Sequence, residues 1–169
     1  MEKTEYFSST QVAGGIFPGL SLRILQRLMK EELVRPAIPS TGTGHPARFS
    51  YLNLMEIATF LQLKRLGVDS QPYRSFLQKL LYSGKHTLIE RAKVVHDFDC
   101  VLIIPSLNEI PGKESAYQVV HFLRPLRARN EGQVDFADFI REGIFPAYIL
   151  VDLRMVKSMV DRGIQSFME

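Results

Sequence analysis

Apolar residues recur at helical spacing in the first half of the chain, and turn-forming residues separate the helices that they predict. Ser8 or Ser9 is expected to cap a short first helix, because a hydroxyl oxygen there accepts an otherwise unpaired backbone N–H. Glycine and proline dominate residues 14–19, which predicts a turn. We expect Ile16 and Phe17 to reach the core from this turn.

The second predicted helix has one apolar face and one basic face, and Ser21 is expected to cap it. Its apolar positions are Leu22, Leu25, Leu28 and Met29. Its opposite face carries Arg23, Gln26, Arg27 and Lys30. The basic face is available to meet a partner, and a merely solvated helix face is the alternative interpretation of the same charges.

A turn-rich segment separates the second helix from the third. Pro36 and Pro39 end regular structure there, and residues 37–47 are predicted to form a flexible hairpin tip or wing. Asn53 is expected to cap a third helix over residues 54–66.

The pattern changes after a fourth predicted helix, for which Ser70 is the expected cap. Residues 101–104 and 148–151 are apolar runs with the length and composition of strands. Residues 155–167 have the spacing of a final amphipathic helix. Two segments fit either a helix or a strand: 86–97 and 116–126.

The sequence therefore predicts an α+β protein with two domains, 1–83 and 84–169, and charge distinguishes them. The net charge is +3, from 21 Lys and Arg against 18 Asp and Glu. The first domain holds ten basic and six acidic residues, and the second holds eleven basic and twelve acidic residues. Five basic residues stand against two acidic ones between positions 21 and 48. A local basic patch of this kind is what phosphate contact requires.

Composition favours a soluble globular protein, with 46% apolar and 23% charged residues. No apolar run approaches the roughly 18 residues that span a bilayer, and residues 1–5 do not resemble the start of a signal peptide. A single cysteine, Cys100, excludes an intramolecular disulfide and fits a reducing cytoplasm. We expect a cytoplasmic protein in which Cys100 is buried and no metal is bound, since soft-metal sites use clustered thiolates.

Five short motifs occur in a characteristic order: Val12-Ala13, Ser21-Leu22-Arg23, Glu32-Leu33-Val34-Arg35-Pro36, Arg48-Phe49-Ser50-Tyr51 and Leu66-Gly67. In this order and spacing the first half of the chain resembles the MerR-type winged helix-turn-helix family of bacterial transcription regulators. Ile24 and Leu25 stand where that family has paired aromatic residues. Gly84 interrupts the long dimerisation helix that often follows the fourth helix in that family.

The resemblance implies a winged helix-turn-helix domain that binds double-stranded DNA. Arg23 falls at the position of the recognition-helix arginine, and Arg48 and Tyr51 fall where the wing clamps phosphates. The full implied DNA-binding set is Ser21, Arg23, Gln26, Arg27, Lys30, Thr43, His45, Arg48 and Tyr51.

The leading hypothesis is a sequence-specific transcription regulator that binds promoter DNA as a homodimer, without a cofactor, catalysis or a membrane. The second half would serve dimerisation, and a small-molecule effector of unspecified identity is a further candidate partner. Two alternatives stay open: an effector-free architectural or accessory DNA-binding protein of excisionase-like type, and a protein-interaction adaptor that uses the winged fold without nucleic acid.

Overall fold

A computed structural model describes residues 6–42, 44–66, 87–105, 121–123 and 148–169. The fourth predicted helix and the predicted domain junction at residues 83 and 84 lie outside these ranges. The helices of the described ranges are α1 (Ser9–Val12), α2 (Leu22–Lys30), α3 (Tyr51–Arg65), α4 (Leu88–His96) and α5 (Leu153–Met168). The strands are β1 (Phe7–Ser8), β2 (Arg48–Phe49), β3 (Val101–Pro105), β4 (His121–Leu123) and β5 (Tyr148–Asp152).

Local capping sets where the first helices begin. The Ser8 hydroxyl accepts a hydrogen bond from the Gln11 amide at 3.4 Å, and the Gln11 side chain accepts one from the Ser8 amide at 2.7 Å. This reciprocal capping box starts α1. The Ser21 hydroxyl likewise accepts from the Ile24 amide at 3.3 Å and starts α2. Both predicted caps are confirmed.

Helix α3 begins three residues earlier than predicted, because Ser50 and not Asn53 is its cap. The Ser50 hydroxyl accepts from the Asn53 amide at 3.4 Å, and the Asn53 side-chain oxygen accepts from the Ser50 amide at 3.1 Å. Asn53 is thus the third residue of the helix and the second half of the capping box.

Two small antiparallel sheets complete the secondary structure of the described ranges. Strand β1 pairs with β2, with Phe7 opposite Phe49. The second sheet has the order β4-β3-β5, with Leu102 opposite Val151 across its β3–β5 pair. The strands predicted over 101–104 and 148–151 are confirmed. The first ambiguous segment forms helix α4, and residues 121–123 of the second form β4.

Helix α3 lies at the centre of the core, and its residues from Asn53 to Phe60 are all buried. Helix α5 packs along α3, and Val156 and Val160 join the same buried cluster as α3 and the second sheet. Cys100 is fully buried in that cluster, as predicted. The described parts of the two predicted domains therefore share one hydrophobic core in a mixed α and β fold.

A close backbone contact fixes the position of α5 against the turn that follows α1. A side chain at Gly163 would bring its Cβ within 2.5 Å of the Ile16 carbonyl oxygen. Ile16 and Phe17 are both buried, which confirms that they reach the core from this turn. Only glycine allows α5 to lie this close to the turn. Within the described ranges, no helix is both long and apolar enough to cross a membrane.

Candidate nucleic-acid interface

Helix α2 separates its apolar and basic side chains onto opposite faces. Leu25 and Leu28 are 0% and 2% exposed, because they pack into the core. The opposite face is exposed along the whole helix and carries Arg23, Gln26, Arg27 and Lys30. The predicted basic face is thus present and open to solvent. Leu22 departs from the prediction: it is 41% exposed, since it lies in the first turn, away from the core.

Arg27, one of the cations on this face, is already paired with a carboxylate at the end of its own helix. The Arg27 Nε atom lies 3.0 Å from Glu31 Oε1, and the Arg27 side chain remains 65% exposed. The Glu31 side chain is only 15% exposed, so its carboxylate holds part of the Arg27 guanidinium against the helix end and leaves the rest open to solvent. Arg23 and Lys30 are exposed, and Ser21 is the exposed cap at the start of the helix.

The predicted wing is a short antiparallel hairpin. Ile38 and Arg48 exchange both backbone hydrogen bonds, at 3.1 and 2.9 Å. Nearer the tip, the His45 amide donates to the Gly42 carbonyl at 3.2 Å, and Gly42 has a φ of +122°. That conformation favours glycine and closes the turn. His45 and Arg48 are exposed on this hairpin, whereas the candidate residue Thr43 lies outside the described residues.

Asn53 ties the base of this hairpin to the start of α3. Its side-chain oxygen accepts from the Ala37 amide at 2.8 Å, and its Nδ2 donates to the Arg35 carbonyl at 2.8 Å. The same Nδ2 donates to Glu56 at 2.9 Å. Asn53 is 7% exposed, so these bonds satisfy the buried polar atoms of its own side chain. The hairpin therefore stands on a fixed base.

Glu56 is a buried carboxyl group directly beneath that base, at 2% exposure. Burial raises the pKa of Glu56 to about 7, and the hydrogen bonds from Asn53 and Thr87 oppose this rise. The charge of Glu90 raises the pKa further, and that of Arg35 lowers it. Near neutral pH this carboxyl group is therefore present in both protonation states.

The structure places Tyr51 differently from the other candidate residues. Its hydroxyl donates to Asp161 Oδ1 at 2.6 Å, and its ring lies 6.4 Å from that of Phe98. Burial, followed by the hydrogen bond and charge of Asp161, raises the pKa of the Tyr51 phenol above its ordinary value. Tyr51 thus joins the start of α3 to α5, and its hydroxyl has a carboxylate partner where a phosphate was expected.

Sequence reasoning missed the roles of Asn53 and Glu56. The spacing of Ser50 and Asn53 resembles a capping box, which was the available signal. Nothing in the local sequence reveals that Asn53 also bonds residues 35 and 37. The burial of Glu56 had only its apolar neighbours along α3 as a signal.

No protein-family model matches the chain, and no curated protein sequence matches it. The resemblance to the MerR-type family therefore stays a prediction that rests on the motifs themselves. What the geometry adds is a helix with an exposed basic face and a hairpin with exposed His45 and Arg48. Helix α1 contacts both α2 and β2 and so connects the two elements.

Proposed function

We propose that this chain is a sequence-specific DNA-binding transcription regulator of the MerR-like winged helix-turn-helix type, acting as a homodimer. The observation that supports the proposal is the separation of apolar and basic side chains onto opposite faces of α2. Its apolar face is held in the core, and its Arg23, Gln26, Arg27 and Lys30 face is exposed. A helix fixed in this way can enter the major groove with its polar side chains against the base edges.

The hairpin supplies a second point of contact. Arg48 at its base and His45 near its tip are both exposed, and Asn53 fixes the base through Arg35 and Ala37. A wing held at a constant angle to the recognition helix can bind the phosphates beside the groove. Helix and wing together would set the orientation of the protein on the duplex.

A homodimer would bind two half-sites related by a twofold axis. Each half-site would meet one α2 and one hairpin. The affinity of the pair would then exceed that of one protomer, because the second contact is intramolecular. An inverted repeat in the selected DNA would report this symmetry directly.

Fluorescence anisotropy with the DNA upstream of the gene tests the proposal. We expect Arg23→Ala to weaken binding by about 1–3 kcal/mol if Arg23 contacts a base, and by less if it contacts only a phosphate. Lys93→Ala, which removes an exposed cation from α4, is the matched control and should leave the affinity unchanged.

Salt and competitor DNA complete this experiment. The affinity should fall steeply with salt, and Arg23→Ala should reduce the slope if Arg23 contacts a phosphate. Absence of binding to the upstream DNA at low salt would contradict the proposal. A small ratio between specific and random duplexes would favour an architectural protein, and salt-independent binding of a protein partner would favour an adaptor.

A further inference from the structure

A groove of about 630 Å³ lies where the turn after α1 meets the end of α3 and the second half of α5. Its apolar wall is formed by side chains from all of these elements and from α2. These residues are Ile16, Phe17, Leu20, Ile24, Leu61 and Met159. The volume falls in the range of about 300–1,000 Å³ that is typical of small-molecule sites.

The polar part of the groove wall is cationic. Lys64 and Arg65 from the end of α3 and Arg162 from α5 line it, and none of the lining residues within the described ranges is an Asp or Glu. The Arg162 Nε donates to the Ser158 carbonyl at 3.2 Å, which holds this side chain along α5. Asp161 is adjacent in sequence, but its two oxygens accept from Tyr51 and Lys157, both at 2.6 Å.

We propose that this groove binds a medium-chain aliphatic carboxylate, with the hydrocarbon chain on the apolar wall and the carboxylate at Arg65 and Arg162. The apolar wall would remove the chain from water, and this transfer would supply most of the affinity. Arginine suits the other end, because its planar group binds both oxygens of a carboxylate at once. Met159 has the flexible side chain that adapts to an unbranched hydrocarbon. The cationic rim disfavours amphiphilic cations.

The groove borders the proposed DNA-binding helix. Ile24 lies on α2, and residues 16–20 form the turn that leads into α2. A ligand held between this turn and α5 would change DNA affinity if it favours one position of the turn over another. This regulatory part rests on the proposed function, whereas binding of the carboxylate does not.

Isothermal titration calorimetry of the full chain with dodecanoate, below its micelle concentration, tests the binding directly. We expect a Kd on the order of tens of micromolar. Dodecanol and dodecylammonium have the same chain without the anionic end, and they should bind at least tenfold more weakly. Equal binding of all three would overturn the proposal, as would a lack of dodecanoate binding.

Arg65→Gln and Arg162→Gln should each weaken dodecanoate binding about tenfold or more, whereas Lys93→Gln should not. Arg65→Lys should restore part of the loss, because it keeps the charge without the planar group. Circular dichroism would check that these variants fold. Unchanged dodecanoate affinity in both folded glutamine variants would overturn the assignment of the cationic end.

A fluorescent reporter tests the location independently of the arginines. The chain has no tryptophan, so Phe17→Trp places a single indole in the groove wall. A bromine-substituted dodecanoate should quench this indole in a saturable way, and absence of quenching in a folded Phe17→Trp variant would overturn the location. Anisotropy with and without dodecanoate then separates the two proposals. DNA binding without ligand tests the proposed function, and a change of at least fivefold on adding dodecanoate supports the coupling. An unchanged DNA affinity would overturn the coupling alone.

Discussion

Replacing Glu56 by glutamine should change how the stability of the protein depends on pH. Burial raises the pKa of this carboxyl group from an ordinary value of 4.5 to about 7 in the folded chain. The folded state therefore binds the proton more tightly than the unfolded state, and the stability falls as the pH rises from about 4.5 to about 7. Each tenfold difference in proton affinity corresponds to about 1.4 kcal/mol, which gives a loss of about 3 kcal/mol across this interval. Above the folded-state pKa the effect is constant.

Glutamine removes the charge and keeps an oxygen that can accept a hydrogen bond from the Asn53 side chain. In the wild type this bond joins Asn53 Nδ2 to Glu56 Oε2 at 2.9 Å. Urea unfolding of the wild type and of Glu56→Gln between pH 5 and pH 8 would measure the difference in free energy of unfolding. Between pH 5 and pH 8 the free energy of unfolding of the variant should rise by about 2.5 kcal/mol relative to that of the wild type. Glu32→Gln, at a side chain that is 65% exposed, is the matched surface control. A wild-type to Glu56→Gln difference that does not vary with pH would refute the reasoning.

Two further substitutions test the contacts that hold the candidate interface in place. Asn53→Ala should lower the free energy of unfolding by about 2–4 kcal/mol, because it removes the bonds to Ala37 and Arg35 and the buried bond to Glu56. A loss below 1 kcal/mol in urea unfolding would contradict this. Gly163→Ala should lower the free energy of unfolding by about 1–3 kcal/mol, because the added Cβ would lie 2.5 Å from the Ile16 carbonyl oxygen. Thermal unfolding would measure this loss, with Ser158→Ala at an exposed position on the same helix as the control. If Gly163→Ala instead stabilised the protein, α5 would not be held closely to the turn.

Features with local causes could be predicted from the sequence. Ser8 and Ser21 could be predicted as caps because each hydroxyl accepts a hydrogen bond from an amide only three residues away. Ser50 and Asn53 are both good caps, and the sequence alone favoured the wrong one because both precede the same apolar run. The strands around Leu102 and Val151 were visible because a buried strand is a continuous apolar run.

Features with distant causes could not be predicted. The bonds from Asn53 to residues 35 and 37 cross 18 and 16 positions of the chain. The link from Tyr51 to Asp161 crosses 110 positions. The basic face of α2 was predictable from helical spacing, whereas the groove depends on how α5 docks, which no local pattern encodes.

The docking of α5 on α3 has a consequence for synthesis of the protein. Residues 66–152 must be translated after α3 ends and before α5 begins. At about 5–20 residues per second, the apolar surface of α3 that α5 covers stays exposed for roughly 4–17 s. During this interval the nascent chain presents an unfinished core of the kind that chaperones bind. The core that supports the candidate interface is therefore completed only after translation of Val156 and Val160.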